Sequence, residues 1–193
     1  ARIAIFLTVF MDLLGFGIVI PILPLYAEHI ASQGQSQWMQ ATTGWMHLQD
    51  VGAFWAGVVF ISFSVMQFIA TPILGRISDK VGRKPVLAAA IATLALAQVV
   101  LITQPQLLAI LIARALQGAA TGAFFGTCTA FLVEQTRPAR RGQVATLSSV
   151  SVRGGLALGP GLGGLFAEYL PEPLRLPFAV HLGGLAMALV ILW

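Results

Sequence analysis

Three ionisable residues lie where a chain this apolar has little reason to keep charge. Asp12, Arg114 and Arg153 each fall inside a long apolar stretch. If those stretches cross a bilayer as helices, the three lie about nine, eight and eleven residues in from the nearest end. At about 1.5 Å of rise per residue, all three come close to the midplane. A charge there costs at least about 2.5–3.5 kcal/mol, so it normally faces a cavity and has a partner. Two readings of the acid stand. In one, Asp12 and Arg114 form a structural ion pair that locks two helices. In the other, Asp12 is a titratable group in a solute pathway. Burial favours the neutral form of a carboxyl, and a nearby guanidinium favours the charged form. Its protonation can then follow the substrate and the side that is open, which is what ion coupling requires. Asp12 cannot neutralise two arginines, so Arg153 is answered by an anionic substrate group, by an acid from further chain, or by lipid headgroups.

The elements that must position these residues follow from composition. The chain has 193 residues, 58% of them hydrophobic and 9% charged, with mean hydropathy +0.87. A soluble domain carries roughly 25% charged residues, so the solvent of most of this surface is lipid. Six segments are apolar enough to span, roughly 3–26, 54–75, 85–103, 106–134, 142–167 and 177–193. Strand alternation is absent, and helices are the spanning option that remains. The expected fold class is therefore an all-α integral membrane protein with six transmembrane helices. The fourth and fifth segments exceed one span. The sixth is short, the chain opens on Ala1 instead of Met, and it ends on Trp193 inside an apolar run, so a longer protein is expected.

Lys and Arg in the connections set the orientation. Arg2, the 75–85 connection (Arg76, Lys80, Arg83, Lys84) and the 134–142 connection (Arg137, Arg140, Arg141) fall on one side of a six-helix arrangement. The other side carries Glu28, Asp50, Glu168, Glu172 and Arg175. The N-terminus is thus expected in the cytoplasm of a multi-pass protein of the plasma (inner) membrane. The same rule accounts for the pI near 10 without nucleic acid as a partner.

The second segment ends in "TPILGR" and the fifth contains "GPGLGG", so Pro-x-Leu-Gly recurs at Pro72–Gly75 and Pro160–Gly163. The two copies lie at opposite faces of the membrane. Two three-helix repeats of inverted topology produce that placement. His181, Gln67, Gln98 and Gln117 read as interhelical hydrogen-bonding groups. A single cysteine, Cys128, excludes an internal disulfide and reads as packing. No metal-ligand spacing, no nucleophile with a base and no phosphate loop is present, so neither an enzyme, a metal nor a cofactor is expected.

With these residues in view, the chain resembles the N-terminal six-helix half of a major facilitator superfamily transporter over nearly all of residues 1–193. The twelve-helix drug:proton antiporters are the group it most resembles, and four motifs carry the likeness. "LGFGIVIPILP" in the first segment, with Gly15, Pro21 and Pro24, follows Asp12. "GRISDKVGRK" supplies Gly75, Asp79, Lys80, Gly82, Arg83 and Lys84 of the superfamily's cytoplasmic loop signature. "RALQG" places Arg114 and Gln117 in a signature tied to proton coupling, with Ala120 where a second glycine is common. "GLALGPGLGG" holds Gly155, Gly159, Pro160, Gly163 and Gly164 of the antiporter signature.

The resemblance implies proton-coupled export of drug-like or amphipathic small molecules by alternating access. Asp12, Arg114, Gln117 and Arg153 are then the proton- and substrate-coupling group, and the proton is the coupling ion. Asp79 is a latch that pairs with a basic residue and a helix N-terminus of the other half, holding the outward-open state, and Gly75 lets the second helix pack tightly. The fifth-segment glycines admit a neighbouring helix, and Pro160 bends the helix, which makes a seam for rocking. The third segment lacks the acid usual in tetracycline exporters, so tetracycline is disfavoured as substrate. Partners are a small-molecule substrate, protons, membrane lipid, and a C-terminal half or a second copy of this chain. A proton-coupled uptake symporter and a non-transporting scaffold or receptor on the same fold are the alternatives.

Overall fold

The computed structural model describes residues 10, 17–18, 41, 44, 51–103, 106–134, 136–169 and 175–192. Five α-helices run through them: α1 (Val51–Val81), α2 (Arg83–Thr103), α3 (Leu107–Glu134), α4 (Arg141–Tyr169) and α5 (Leu176–Leu192), with a short 3₁₀ turn at Pro138–Arg140. The described architecture is all-helical. Asp12, Gly15, Pro21 and Pro24 lie outside the described residues.

Helices form here because a backbone in lipid must satisfy its own hydrogen bonds, and local propensity agrees. The run "LAAAIATLALA" in α2 is built from strong helix formers. By length and composition, α1, α2 and α3 can each cross a membrane, and α5 is a shorter apolar helix. The 29 residues of α4 are long enough, but seven glycines, three serines and Arg153 dilute its hydropathy. At about 1.5 Å per residue, the 31 residues of α1 reach about 46 Å, well beyond an apolar core of about 30 Å. The excess is the charged end. The stretch expected as a connection between spans is helical as far as Val81, because Arg76, Asp79 and Lys80 are all tolerated on a helix surface. Only Gly82 ends it.

α3 is the central post and α1 the most exposed of the three long helices. α3 packs against α1 on one side and α2 on another, and α2 packs in turn on α5. Leu87, Ile91 and Leu94 of α2 meet Ala120, Ala123, Phe124, Cys128 and Phe131 of α3 and Leu185 of α5 in one core cluster. A second cluster joins Ala97 and Leu101 of α2 to Leu107, Ile110 and Ala113 of α3, with Ile18, Val59 and Phe178. Among the described residues α4 touches α3 and α5 only lightly. Its close neighbour is the chain around Phe10 and Gly17. A Cβ at Gly17 would stand 2.8 Å from the Gly159 Cα and 2.9 Å from the Pro160 Cδ, and one at Gly154 would stand 3.5 Å from the Phe10 ring. Phe10 thus lies beside an earlier residue of α4 and Gly17 beside later ones.

Candidate functional site: a buried arginine and a charged helix end

The α1–α3 contact is made by glycine. Gly118, Gly122 and Gly126 recur every fourth residue and so share one stripe of α3. They face Phe63, Gln67 and Thr71, which recur with the same spacing on α1. A Cβ at Gly118 would fall on the Phe63 carbonyl oxygen and lie 2.9 Å from its carbon. One at Gly122 would lie 2.6 Å from Thr71 Oγ1 and 2.8 Å from the Gln67 carbonyl oxygen. Without side chains the two backbones touch, the arrangement that favours close helix association in lipid. The Thr71 hydroxyl donates to the Gln67 carbonyl at 2.6 Å, so this surface presents little free polarity. In the sequence Gly118 closes the "RALQG" signature, and Gly126 lies outside every motif. The period of four was the signal.

One turn before Gly118, α3 buries Arg114 to 2% exposure. Its Nη1 donates to Gln117 Oε1 at 3.0 Å, and the guanidinium lies 5.9 Å from the centre of the Phe63 ring. The aromatic face and the amide both favour the cation. Gln117, also buried, thus bonds within its own helix instead of across to another. Because Phe63 also receives Gly118, the close backbone contact fixes the ring over which Arg114 is held. Arg153, about midway along α4, is exposed and forms no ion pair among the described residues. The structure therefore brings Arg114 and Gln117 together and leaves Arg153 apart on the surface of α4. Gln98 and His181 do join two helices: Gln98 Nε2 and His181 Nδ1 are 2.6 Å apart, both buried, tying α2 to α5.

At the charged end, the α1 helix stops because Gly82 takes φ +106°, a left-handed conformation that costs other residues about 1–2 kcal/mol. Its N–H donates to the Ser78 carbonyl at 3.0 Å and closes the last turn. That reversal turns Arg83 back over the end of α1. Arg83 Nη1 donates to Ser78 Oγ at 2.8 Å, and Nη2 pairs with Asp79 Oδ1 at 2.6 Å. Nε and Nη2 both donate to Glu134 Oε1, at 3.3 and 3.0 Å. Glu134 ends α3, where the helix dipole disfavours an acid, and Arg83 begins α2, where it disfavours a cation. Bringing the two ends together answers both. The hydrogen bond to Glu134, then the attraction of Asp79 and Glu134, raises the pKa of the Arg83 guanidinium against the opposing effect of desolvation. One arginine thus clasps the ends of three helices.

Asp79, expected to reach for a base in another half, is engaged by Arg83 within this one. Gly75 also departs from expectation. A Cβ there meets nothing within 4 Å, so the tight packing assigned to it is not made against the described part of this chain. A Cβ at Gly17 would press on Gly159, and Gly155 and Gly163 are buried, while a Cβ at Gly164 would meet open space. Lys80 and Lys84 are exposed and make no ion pair among the described residues. Glu134 was overlooked in the sequence because nothing local marks a partner 51 residues from Arg83.

This clasp, part of it open to solvent, should add little to stability. Arg83→Gln and Glu134→Gln are each expected to shift the melting temperature of the full-length protein by only about 2–4 °C or less, as for solvated ion pairs. The double variant should melt no lower than Arg83→Gln alone. Additive losses would show that the two act separately.

The family model described as Major Facilitator Superfamily matches residues 5–193. The class C tetracycline resistance protein of Escherichia coli is 30% identical over 98% of this chain and 43% of its own length. The quinolone resistance protein NorA of Staphylococcus aureus is 22% identical over 97% of this chain and 43% of its own length. The crystal structure of the human organic anion transporter MFSD10 (TETRAN) superposes on 100% of this chain and 47% of its own, with a TM-score of 0.76 and 26% identity. The chain spans less than half the length of each of these relatives. With the family model matched across almost every residue, the chain belongs to the Major Facilitator Superfamily.

Proposed function

We propose that this chain forms the N-terminal six-helix half of a proton-coupled secondary transporter that exports drug-like, amphipathic solutes by alternating access. The observation that carries the reading is Arg114, a guanidinium buried in a membrane-spanning helix and aimed by Gln117 and Phe63. A charge at that depth serves a solute or ion pathway far more readily than it serves packing. Asp12 of the first segment is the proton carrier, and Arg114 tunes its affinity. Arg153, exposed and without an acid partner among the described residues, meets an anionic group of the substrate. The likeness to a protein described as an organic anion transporter, beside two resistance proteins, supports that substrate class.

Two inverted three-helix repeats are supported by how the helices pair. Exchanging the repeats maps the first segment onto α3 and α4 onto α1. The first segment meets α4 through Gly17, and α3 meets α1 through Gly118 and Gly122. Gly17 seats at Gly159 and Pro160, and Gly122 seats at Gln67 and Thr71, so both contacts lie at or beside a Pro-x-Leu-Gly element. In this reading the N-terminus and the Arg83 clasp lie in the cytoplasm. The Asp79–Arg83–Glu134 unit docks as one body on the other half, with Gly75 as the open place against which that half packs.

Full-length protein in liposomes with an imposed pH gradient tests this. An inwardly directed proton gradient should drive loaded amphipathic anions out. Gradient-driven uptake instead would make it a symporter, and indifference to the gradient would remove proton coupling.

A further inference from the structure

A groove of about 370 Å³ opens beside the clasp. α1 and α2 splay from their shared turn, and α3 forms the floor. Leu74, Ile77 and Val81 make one wall, Pro85, Val86 and Ala89 the other, and Ala119, Ala120 and Ala123 lie beneath. Its innermost polar residue, Thr93, spends its hydroxyl on the Ala89 carbonyl at 2.9 Å, so nothing inside calls for a polar occupant. From Pro85 to Thr93 the groove runs about 12 Å along α2, a little under half of an apolar core of about 30 Å. That is the depth of one leaflet. Allowing about 30 Å³, the share of one water in the liquid, for each methylene-sized group, it takes roughly a dozen such groups, or most of one acyl chain.

The mouth is basic. Lys80 stands three residues after Ile77 and next to Val81, hence beside the wall those residues form. Lys84 directly precedes Pro85. Both are exposed, and neither pairs with an acid among the described residues, whereas Arg83 is already held by Asp79 and Glu134. Two unneutralised ammonium groups over an apolar slot one leaflet deep complement an anionic headgroup on a fatty chain.

We propose that this groove binds one anionic phospholipid, its acyl chain between α1 and α2 over the alanines of α3 and its phosphate on Lys80 and Lys84. The proposal requires only that the chain spans the membrane and is independent of the direction of transport. The lipid wedges the turn that carries the Arg83 clasp.

The test is native mass spectrometry of the delipidated full-length protein, offered phosphatidylglycerol and phosphatidylethanolamine with matched chains. One phosphatidylglycerol should be retained, with a preference of about tenfold or more. Lys80→Gln with Lys84→Gln should abolish the preference. Ala89→Trp, and independently Thr93→Trp, should lose the bound lipid while the melting temperature holds. Ala89→Cys in the full-length protein should label rapidly with a membrane-soluble maleimide. Equal retention of the two lipids, or full retention in the folded tryptophan variants, would overturn the proposal. A cysteine at position 89 shielded from the reagent would overturn it too, by showing that the other half of the protein covers the groove.

Discussion

Gly118→Ala is expected to leave little folded protein. The added methyl would occupy the Phe63 carbonyl oxygen and press on the carbon behind it. Backbone cannot step aside as a flexible side chain can, so α1 and α3 must separate along their whole contact. Overpacking in a core typically costs about 1–3 kcal/mol, and a collision with main chain belongs at or above the top of that range. Gly122→Ala should behave similarly but less severely, because the backbone atom it meets, the Gln67 carbonyl oxygen, is 2.8 Å away and the nearer Thr71 hydroxyl can rotate. At Gly183 an added Cβ meets nothing within 4 Å. Gly183→Ala should therefore be neutral, or stabilising by up to about 1 kcal/mol through helix propensity. Thermal melting and monodispersity of the purified full-length protein decide the matter. A Gly118→Ala protein that melts within a few degrees of the parent would show that the helices do not approach so closely.

The second large effect is expected at Arg114. A buried cation carries a desolvation cost that an apolar side chain of similar size does not, whereas a charged group that acts in transport is not replaceable. Arg114→Leu should therefore fold and melt near the parent temperature yet transport at least about a hundredfold more slowly, equivalent to about 3 kcal/mol. Arg114→Lys should recover little of that loss. An ammonium lacks the planar fork that bonds Gln117 and lies over Phe63. The opposite pattern, a depressed melting temperature with normal transport per folded molecule, would mark Arg114 as a structural strut.

How far these sites were legible in the sequence depended on the range of the interaction. Helix content followed from apolar runs long enough to span, and the burial of Arg114 followed from its place in one of them. The end of α1 did not. Charged residues signal solvent, not the end of a helix, and only the left-handed Gly82 stops the chain. Glu134 was invisible as a partner because its link to Arg83 spans 51 residues and depends on how α1, α2 and α3 end together. The glycine stripe of α3 could be seen as a period of four, but the backbone it faces could not. Arg153 was placed by depth alone, and depth does not say which way a helix turns a residue. In the fold it is exposed.

The central claim is that export is driven by a proton held on Asp12 under the influence of Arg114. The most direct measurement is proton release, read with a pH-sensitive dye, when amphipathic anionic substrates are added to weakly buffered, detergent-solubilised full-length protein, with Asp12→Asn measured beside it. The account predicts a release that saturates with substrate and disappears in Asp12→Asn. Confirmed substrate binding with no proton released by the parent protein, or the same release in both proteins, would contradict it.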